Sequence, residues 1–141
     1  MRCLDLFLIF VFCPTVASSG KAPECNTNTN EMSTTLQQKI YDEVTGFLPN
    51  VKLDCELEKR AWKRLVLTDT TFWPLPKGAF EKREEWPITK SLTPHTFFQT
   101  VFQLWQKNKD ISNKMKSRKQ FGCYLRPLHE LKMYKVNCIF V

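Results

Sequence analysis

Hydrophobic positions recur with a helical period at three places in the chain and with a strand period near its end. Leu36, Ile40, Val44 and Phe47 are spaced by threes and fours, which predicts a helix. Thr34 precedes Gln37 by the three residues of a capping box, and Gly46 with Pro49 supplies a stop, so the first helix spans about Thr34 to Gly46. A second stripe, Leu57, Ala61 and Leu65, follows a capping Asp54. Glu56 and Glu58 in its first turn and Lys63 and Arg64 in its last complement the helix dipole. The third is the strongest: Thr93-Pro94 opens it, Phe97, Val101, Leu104 and Trp105 form one face, and Phe98 and Phe102 broaden that face. So wide a stripe reads as core rather than as a ligand groove.

The segments between are less regular. Thr68 to Leu92 is rich in Pro, Thr and charge, and Trp73-Pro74-Leu75-Pro76 and Trp86-Pro87 exclude a helix. Long connections with one short strand near Trp86 to Thr89 are expected there. Lys107 to Lys119 reads as a basic connection. At the end, Phe121, Cys123 and Leu125 alternate with other residues, as do Tyr134, Val136, Cys138 and Phe140 after a loop through Pro127 and Glu130. A hairpin of these two strands sets Cys123 opposite Cys138, and a bridge there would contribute about 3 kcal/mol by closing its loop.

Composition changes the picture in three ways. The 141 residues, 43% hydrophobic and 25% charged, suit one globular domain and are too few for a two-domain enzyme. Met1 to Gly20, with Arg2, an apolar run from Leu4 to Phe12 broken by Asp5, and small residues Ala17 to Gly20, reads as a secretory signal cut after Ser19 or Gly20. The run is too short for a membrane span, which needs roughly 20 apolar residues, and no later segment qualifies. Removal of that segment takes Cys3 and Cys13 and leaves Cys25, Cys55, Cys123 and Cys138. An even number in an exported chain implies two disulfides, with three possible connectivities. Finally, 21 Lys and Arg against 14 Asp and Glu give a net charge of +7, which favours anionic partners. No Asn-x-Ser/Thr sequon is present.

Three blocks together resemble the CAP superfamily, or SCP-like domain, in its secreted nematode form. Cys25 followed by Met32-Ser33 and the helix Leu36 to Val44 is similar to the family's opening. Leu53-Asp54-Cys55-Glu56-Leu57-Glu58 resembles its Tyr-Asp-Cys-Glu-x-Glu start of the second helix. Gly122-Cys123-Tyr124-Leu125 with Tyr134-Lys135-Val136-Asn137-Cys138 resembles its closing strands, and Phe98 to Lys107 more loosely resembles its Ala-x-x-Trp helix. The resemblance implies a reduced α/β sandwich over residues 21–141: an antiparallel sheet ending in the Cys123 to Cys138 hairpin, three flanking helices, and Cys25 bridged to Cys55.

Many members of that family carry two histidines and two acids in a central cleft. Here the first helix's His-Asn pair falls on Val44 and Thr45, no histidine occurs from Thr68 to Trp73, and Trp105 to Phe121 is too short for the Gly-His-x-Thr-Gln block. Glu85 matches the family's Gly-Glu-Asn glutamate poorly. His95 and His129, the only histidines, stand in no metal-ligand spacing and read as solvent-exposed. No nucleophile elbow flanks a serine, and Glu84-Glu85 reads as a solvated run. The expectation is a secreted, extracellular, non-enzymatic binding protein without cofactor or metal, directed at an extracellular protein or sulfated glycan rather than nucleic acid. Two cationic clusters are its candidate anion sites: Lys59, Arg60, Lys63 and Arg64, and Lys114, Lys116, Arg118 and Lys119. A lipid or sterol carrier would instead need a pocket lined by Phe97, Phe98 and Trp105, and a small hydrolase would need His95 as its base.

Overall fold

The computed structural model describes residues 20–25, 32–67 and 69–141. Apart from Gly20, the expected export segment lies outside the described residues, as does the polar leader 26–30. Along the chain come α1 (Thr34–Phe47), β1 (Lys52–Leu53), α2 (Cys55–Val66), β2 (Phe80–Pro87), α3 (Pro94–Lys107), α4 (Lys109–Lys116), β3 (Gln120–Leu128) and β4 (Met133–Phe140). The strands form one sheet in the order β1-β3-β4-β2. β3, β4 and β2 are antiparallel neighbours, and the two-residue β1 adds a short parallel edge, Lys52 beside Gln120.

Register decides what each face of the sheet carries, because side chains alternate with period two. Phe121, Cys123 and Leu125 share one face with Tyr134, Val136, Cys138 and Phe140 and with Phe80 and Trp86. Rings of α1 and α3 pack there: Tyr41 lies 6.4 Å from Phe121, and Phe97 lies 5.7 Å from Trp86 and 5.4 Å from Tyr134. The opposite face carries Gly122, Tyr124, Asn137 and Ile139, and α2 covers it, with Trp62 6.2 Å from Tyr124. The result is helix, sheet, helix, with β3 from Phe121 to Leu125 and β4 from Val136 to Phe140 buried on both sides.

Gln120 and Val141 exchange both backbone bonds, so the antiparallel alternation makes Cys123 and Cys138 a non-hydrogen-bonded pair, the kind in which side chains stand closest. They are bridged, as are Cys25 and Cys55. The latter bridge ties the segment before α1 to the first turn of α2.

Four local expectations change. Ser33, not Thr34, caps α1, its Oγ accepting from the Leu36 N–H at 3.1 Å. Gln37 is therefore released from capping, and its Nε2 donates to Glu58 at 3.0 Å. The stretch expected to be mostly connections contains the eight-residue β2; its charged alternation fits an edge strand, where charge blocks further pairing. The basic connection contains α4, capped by Asn108 and held by buried Met115 and Ser112, so the helices among the described residues number four rather than three. Among the described residues, no helix is long and apolar enough to cross a membrane.

Candidate binding surface

The inner face of α2 sits directly on β3. A Cβ on Gly122 would lie 2.1 Å from the Glu58 backbone nitrogen and 2.3 Å from the Leu57 carbonyl carbon, so this contact admits only glycine. Asp54 holds the helix start, its Oδ1 accepting from Glu56 N–H at 2.8 Å and Leu57 N–H at 3.2 Å. Glu58 is thereby driven inward to 2% exposure. Burial raises its pKa from 4.5 to about 7, opposed by the hydrogen bond from Gln37. Sequence reading placed Glu58 only in a favourable first-turn charge. Its spacing from Ala61 and Leu65, three and seven residues, was the signal that it shares their buried stripe.

The outer face of α2 carries the first cationic cluster, and the connection after α2 folds back over it. Arg60 donates to the Pro74 carbonyl, and Arg64 Nη1 donates to that of Trp73 at 2.9 Å. Lys59 and Lys63 lie 5.7 and 5.6 Å from the Trp73 ring, and Lys63 lies 3.9 Å from that of Trp62. Arg64 also forks onto Glu81, Nε to Oε2 at 2.7 Å and Nη2 to Oε1 at 3.0 Å. Asn137 Nδ2 donates to the same Glu81 Oε2 at 2.9 Å and to the Ala61 carbonyl. Burial pushes the Glu81 pKa up, but these hydrogen bonds and the charges of Arg83 and Arg64 outweigh it and leave the carboxyl below its ordinary value. The Glu81 hydrogen bond in turn raises Arg64.

The second cluster reaches the other end of the same connection. Arg118 donates to the Gly78 carbonyl and to that of Lys114, and Lys114 lies 3.3 Å from Asp110 and 5.5 Å from the Phe80 ring. Lys116 lies 5.4 Å from the Phe47 ring, and Lys119 is exposed. Two clusters separated by 50 residues of sequence thus clasp residues 73–80 from opposite ends. Lys59, Arg60, Lys63 and Arg64 at one end and Lys114 and Arg118 at the other hold the connection in place, a use that charge counting alone does not reveal.

The positions that the resemblance sets against the family's cleft residues make ordinary packing contacts. Val44 is fully buried, and the Thr45 hydroxyl donates to the Tyr41 carbonyl at 2.7 Å. Glu85 pairs with Lys135 at 3.2 Å, and Glu84 lies 3.5 Å from the Trp105 indole nitrogen, which corrects the expectation that both are merely solvated. His129 is exposed in the hairpin turn, whereas His95, expected in solvent, is partly covered, with Nε2 3.6 Å from Glu43. No group of three His, Cys, Asp or Glu converges among the described residues. Phe97, Phe98 and Trp105 are buried and packed on Trp86, Tyr134 and Phe102, so they form core rather than the wall of a carrier pocket.

Comparison with solved structures returns the same architecture. A crystal structure of NaASP2 with Zn2+ superposes with a TM-score of 0.57 at 13% identity, over 79% of this chain and 82% of that one. Ancylostoma-secreted protein Ac-ASP-7 gives 0.55 at 13% identity, over 74% and 67%. No curated protein matches the sequence significantly. The sequence model of the family described as "Ancylostoma-associated secreted protein related" matches residues 25–140, a span that holds the Cys25–Cys55 and Cys123–Cys138 bridges, α1 to α4 and the sheet. The chain belongs to that family and is a divergent nematode-type CAP domain.

Proposed function

We propose that the chain is a secreted, non-enzymatic binding protein whose residues 21–141 form one domain and which engages an acidic surface on an extracellular protein. The observation that carries this reading is Val44. Where the family places a cleft histidine, a fully buried aliphatic side chain completes the core, and no imidazole can be supplied there without breaking that packing. The two disulfides accord with an oxidising compartment outside the cytosol. The anion-recognising residues are Lys59, Arg60, Lys63 and Arg64 together with Lys114, Lys116, Arg118 and Lys119. Phe72, 83% exposed, directly precedes Trp73, the ring that Lys59 and Lys63 face. Exposed aromatic side chains close to cations are a common composition for a protein contact.

Photo-crosslinking of the mature chain to proteins of extracellular fluid, quantified by mass spectrometry, tests this. A variant carrying Lys116→Glu, Lys119→Glu and Phe72→Ser should lose most of the salt-sensitive crosslinks of the native chain. Equal crosslinking by both would remove the surface from consideration. Labelling of the native chain by a broad hydrolase probe, or stoichiometric zinc binding by calorimetry, would overturn the non-enzymatic reading.

A further inference from the structure

β2 is the last strand of the sheet, and the ladder decides which of its backbone groups face outward. Gln120 and Val141 exchange both bonds, so along β4 the odd-numbered residues bond to β3 and the even-numbered ones to β2. Their partners on β2 are Phe80, Lys82, Glu84 and Trp86. The Ile88 N–H, which donates to the Lys132 carbonyl at 2.8 Å, continues the same alternation. Glu81, Arg83 and Glu85 therefore aim N–H and C=O away from the sheet, and Pro87 aims a carbonyl alone. No described residue bonds to these groups. α2 packs mainly on β3 and β4, and an open groove of about 330 Å³, lined by Arg83, Glu84 and Glu85 with Leu65 and Lys135, lies against the outer strand.

Charge deters arbitrary strands from such an edge, but the order of charges along β2 suits one partner. We infer that β2 pairs antiparallel with β2 of a second copy of this chain, about a two-fold axis at Glu84, and so joins two sheets into one. Residues opposite each other in a ladder share a face, so a strand meeting its own copy about such an axis sets one residue opposite itself. The middle of Phe80–Pro87 falls between Arg83 and Glu84, and the registers of fullest overlap centre on one or the other. Centring on Arg83 matches Lys82 with the partner's Glu84 but opposes two arginines and sets Glu81 against Glu85 twice. Centring on Glu84 sets Arg83 opposite the partner's Glu85 and Glu85 opposite the partner's Arg83, each pair exchanging both backbone bonds. Glu81 N–H then donates to the partner's Pro87 carbonyl.

On the other face, this register sets Lys82 opposite the partner's Trp86, a cation against a ring, and diagonal to the partner's Glu84. Within one chain Lys82 makes no ion pair among the described residues, and Glu84 faces the Trp105 indole nitrogen at 3.5 Å. Glu84 against its own copy is the one like-charge pair, and a Lys82 flanks it on each side. The Arg83–Glu81 and Glu85–Lys135 pairs, at 3.3 and 3.2 Å, need not break, since Arg83 and Glu85 are 43% and 58% exposed. Pairing extends them into a row of alternating charge across the new seam.

Sedimentation velocity of the mature chain over a concentration series, with backbone hydrogen exchange measured at its two ends, tests this. One strand pair is a small interface, so the dimer should be reversible and grow with concentration. As it forms, the Glu81, Arg83 and Glu85 amides should gain protection, whereas those of Lys82 and Glu84, already bonded to β4, should not change. Arg83→Glu and Glu85→Arg should each weaken self-association by roughly tenfold or more, because each sets like charges opposite one another twice. Mixed in equal amounts, the two variants should associate with about the native strength, since every opposed pair across the seam between them is of unlike charge. The exchange pattern of the native chain provides a readout even where a variant fails to fold. A chain that stays monomeric throughout the series, a dimer that leaves the Glu81, Arg83 and Glu85 amides unprotected, or folded variants that do not recover on mixing would each overturn the assignment. None of these outcomes bears on the crosslinking result for the 72/116/119 surface.

Discussion

Glu58 meets opposing demands, since the stripe that seats α2 on the sheet includes its position while its carboxylate loses water there. With a folded pKa near 7 against an ordinary 4.5, the folded chain holds a proton that the unfolded chain has already released. Stability from this group is therefore fully present below about pH 4.5, declines as pH rises, and is gone above about pH 7. The size of the decline is on the order of 3 kcal/mol. Glu58→Gln keeps an acceptor for the Gln37 amide and cannot ionise. The variant should match the native chain near pH 4.5 and exceed it in urea midpoint at pH 8, with the native chain's decline over that interval largely removed. Parallel pH profiles for the two proteins would show that Glu58 is solvated after all.

At the scale of elements, the contact of α2 with β3 depends on the missing side chain of Gly122. Gly122→Ala places a methyl carbon 2.1 Å from helix backbone, and backbone cannot swing away as a flexible side chain would. The expected cost lies at or above the usual 1–3 kcal/mol of overpacking, read as a lowered melting temperature with the far-UV spectrum of any folded fraction preserved. An unchanged melting temperature would mean that α2 shifts freely on the sheet. This contact was half legible in sequence: the Gly-Cys block was visible, but its reason was not, because a close approach joins residues 64 positions apart. The three helices with wide apolar stripes and the Cys123–Cys138 hairpin were readable for the opposite reason, since each is specified by neighbours along the chain. β2 was not, because Phe80-Glu81-Lys82-Arg83-Glu84-Glu85 has too few apolar residues to announce a strand and is fixed by its ladder with β4. α4 escaped because Ile111 and Met115 are the only apolar residues among its eight. Arg83, Arg126 and Lys135 escaped for the same reason as Gly122, being brought onto one face by strand register alone.

For the molecule as a whole, the two disulfides act on different parts of one margin. A sheet buried on both faces, with Trp105, Tyr124 and five phenylalanines fully enclosed, gives this chain a core that small disulfide-rich domains lack. Either bridge alone should therefore be dispensable for folding. By loop closure, the bridge of separation 15 contributes about 3 kcal/mol and that of separation 30 slightly more, about 3.6 kcal/mol. The loops they close, 25–55 and 123–138, do not overlap, so their loop-closure contributions should add. The sum, between about 6 and 7 kcal/mol, is comparable with the whole stability of a typical domain, about 5–15 kcal/mol. Cys123→Ala with Cys138→Ala, and Cys25→Ala with Cys55→Ala, should each give a folded protein with a cooperative urea transition at a lower midpoint. The variant lacking all four cysteines should be largely unfolded at 37 °C or lose its cooperative transition. If that variant melted within a few degrees of either single-bridge protein, the two-faced core would account for nearly all of the stability and the bridges for very little.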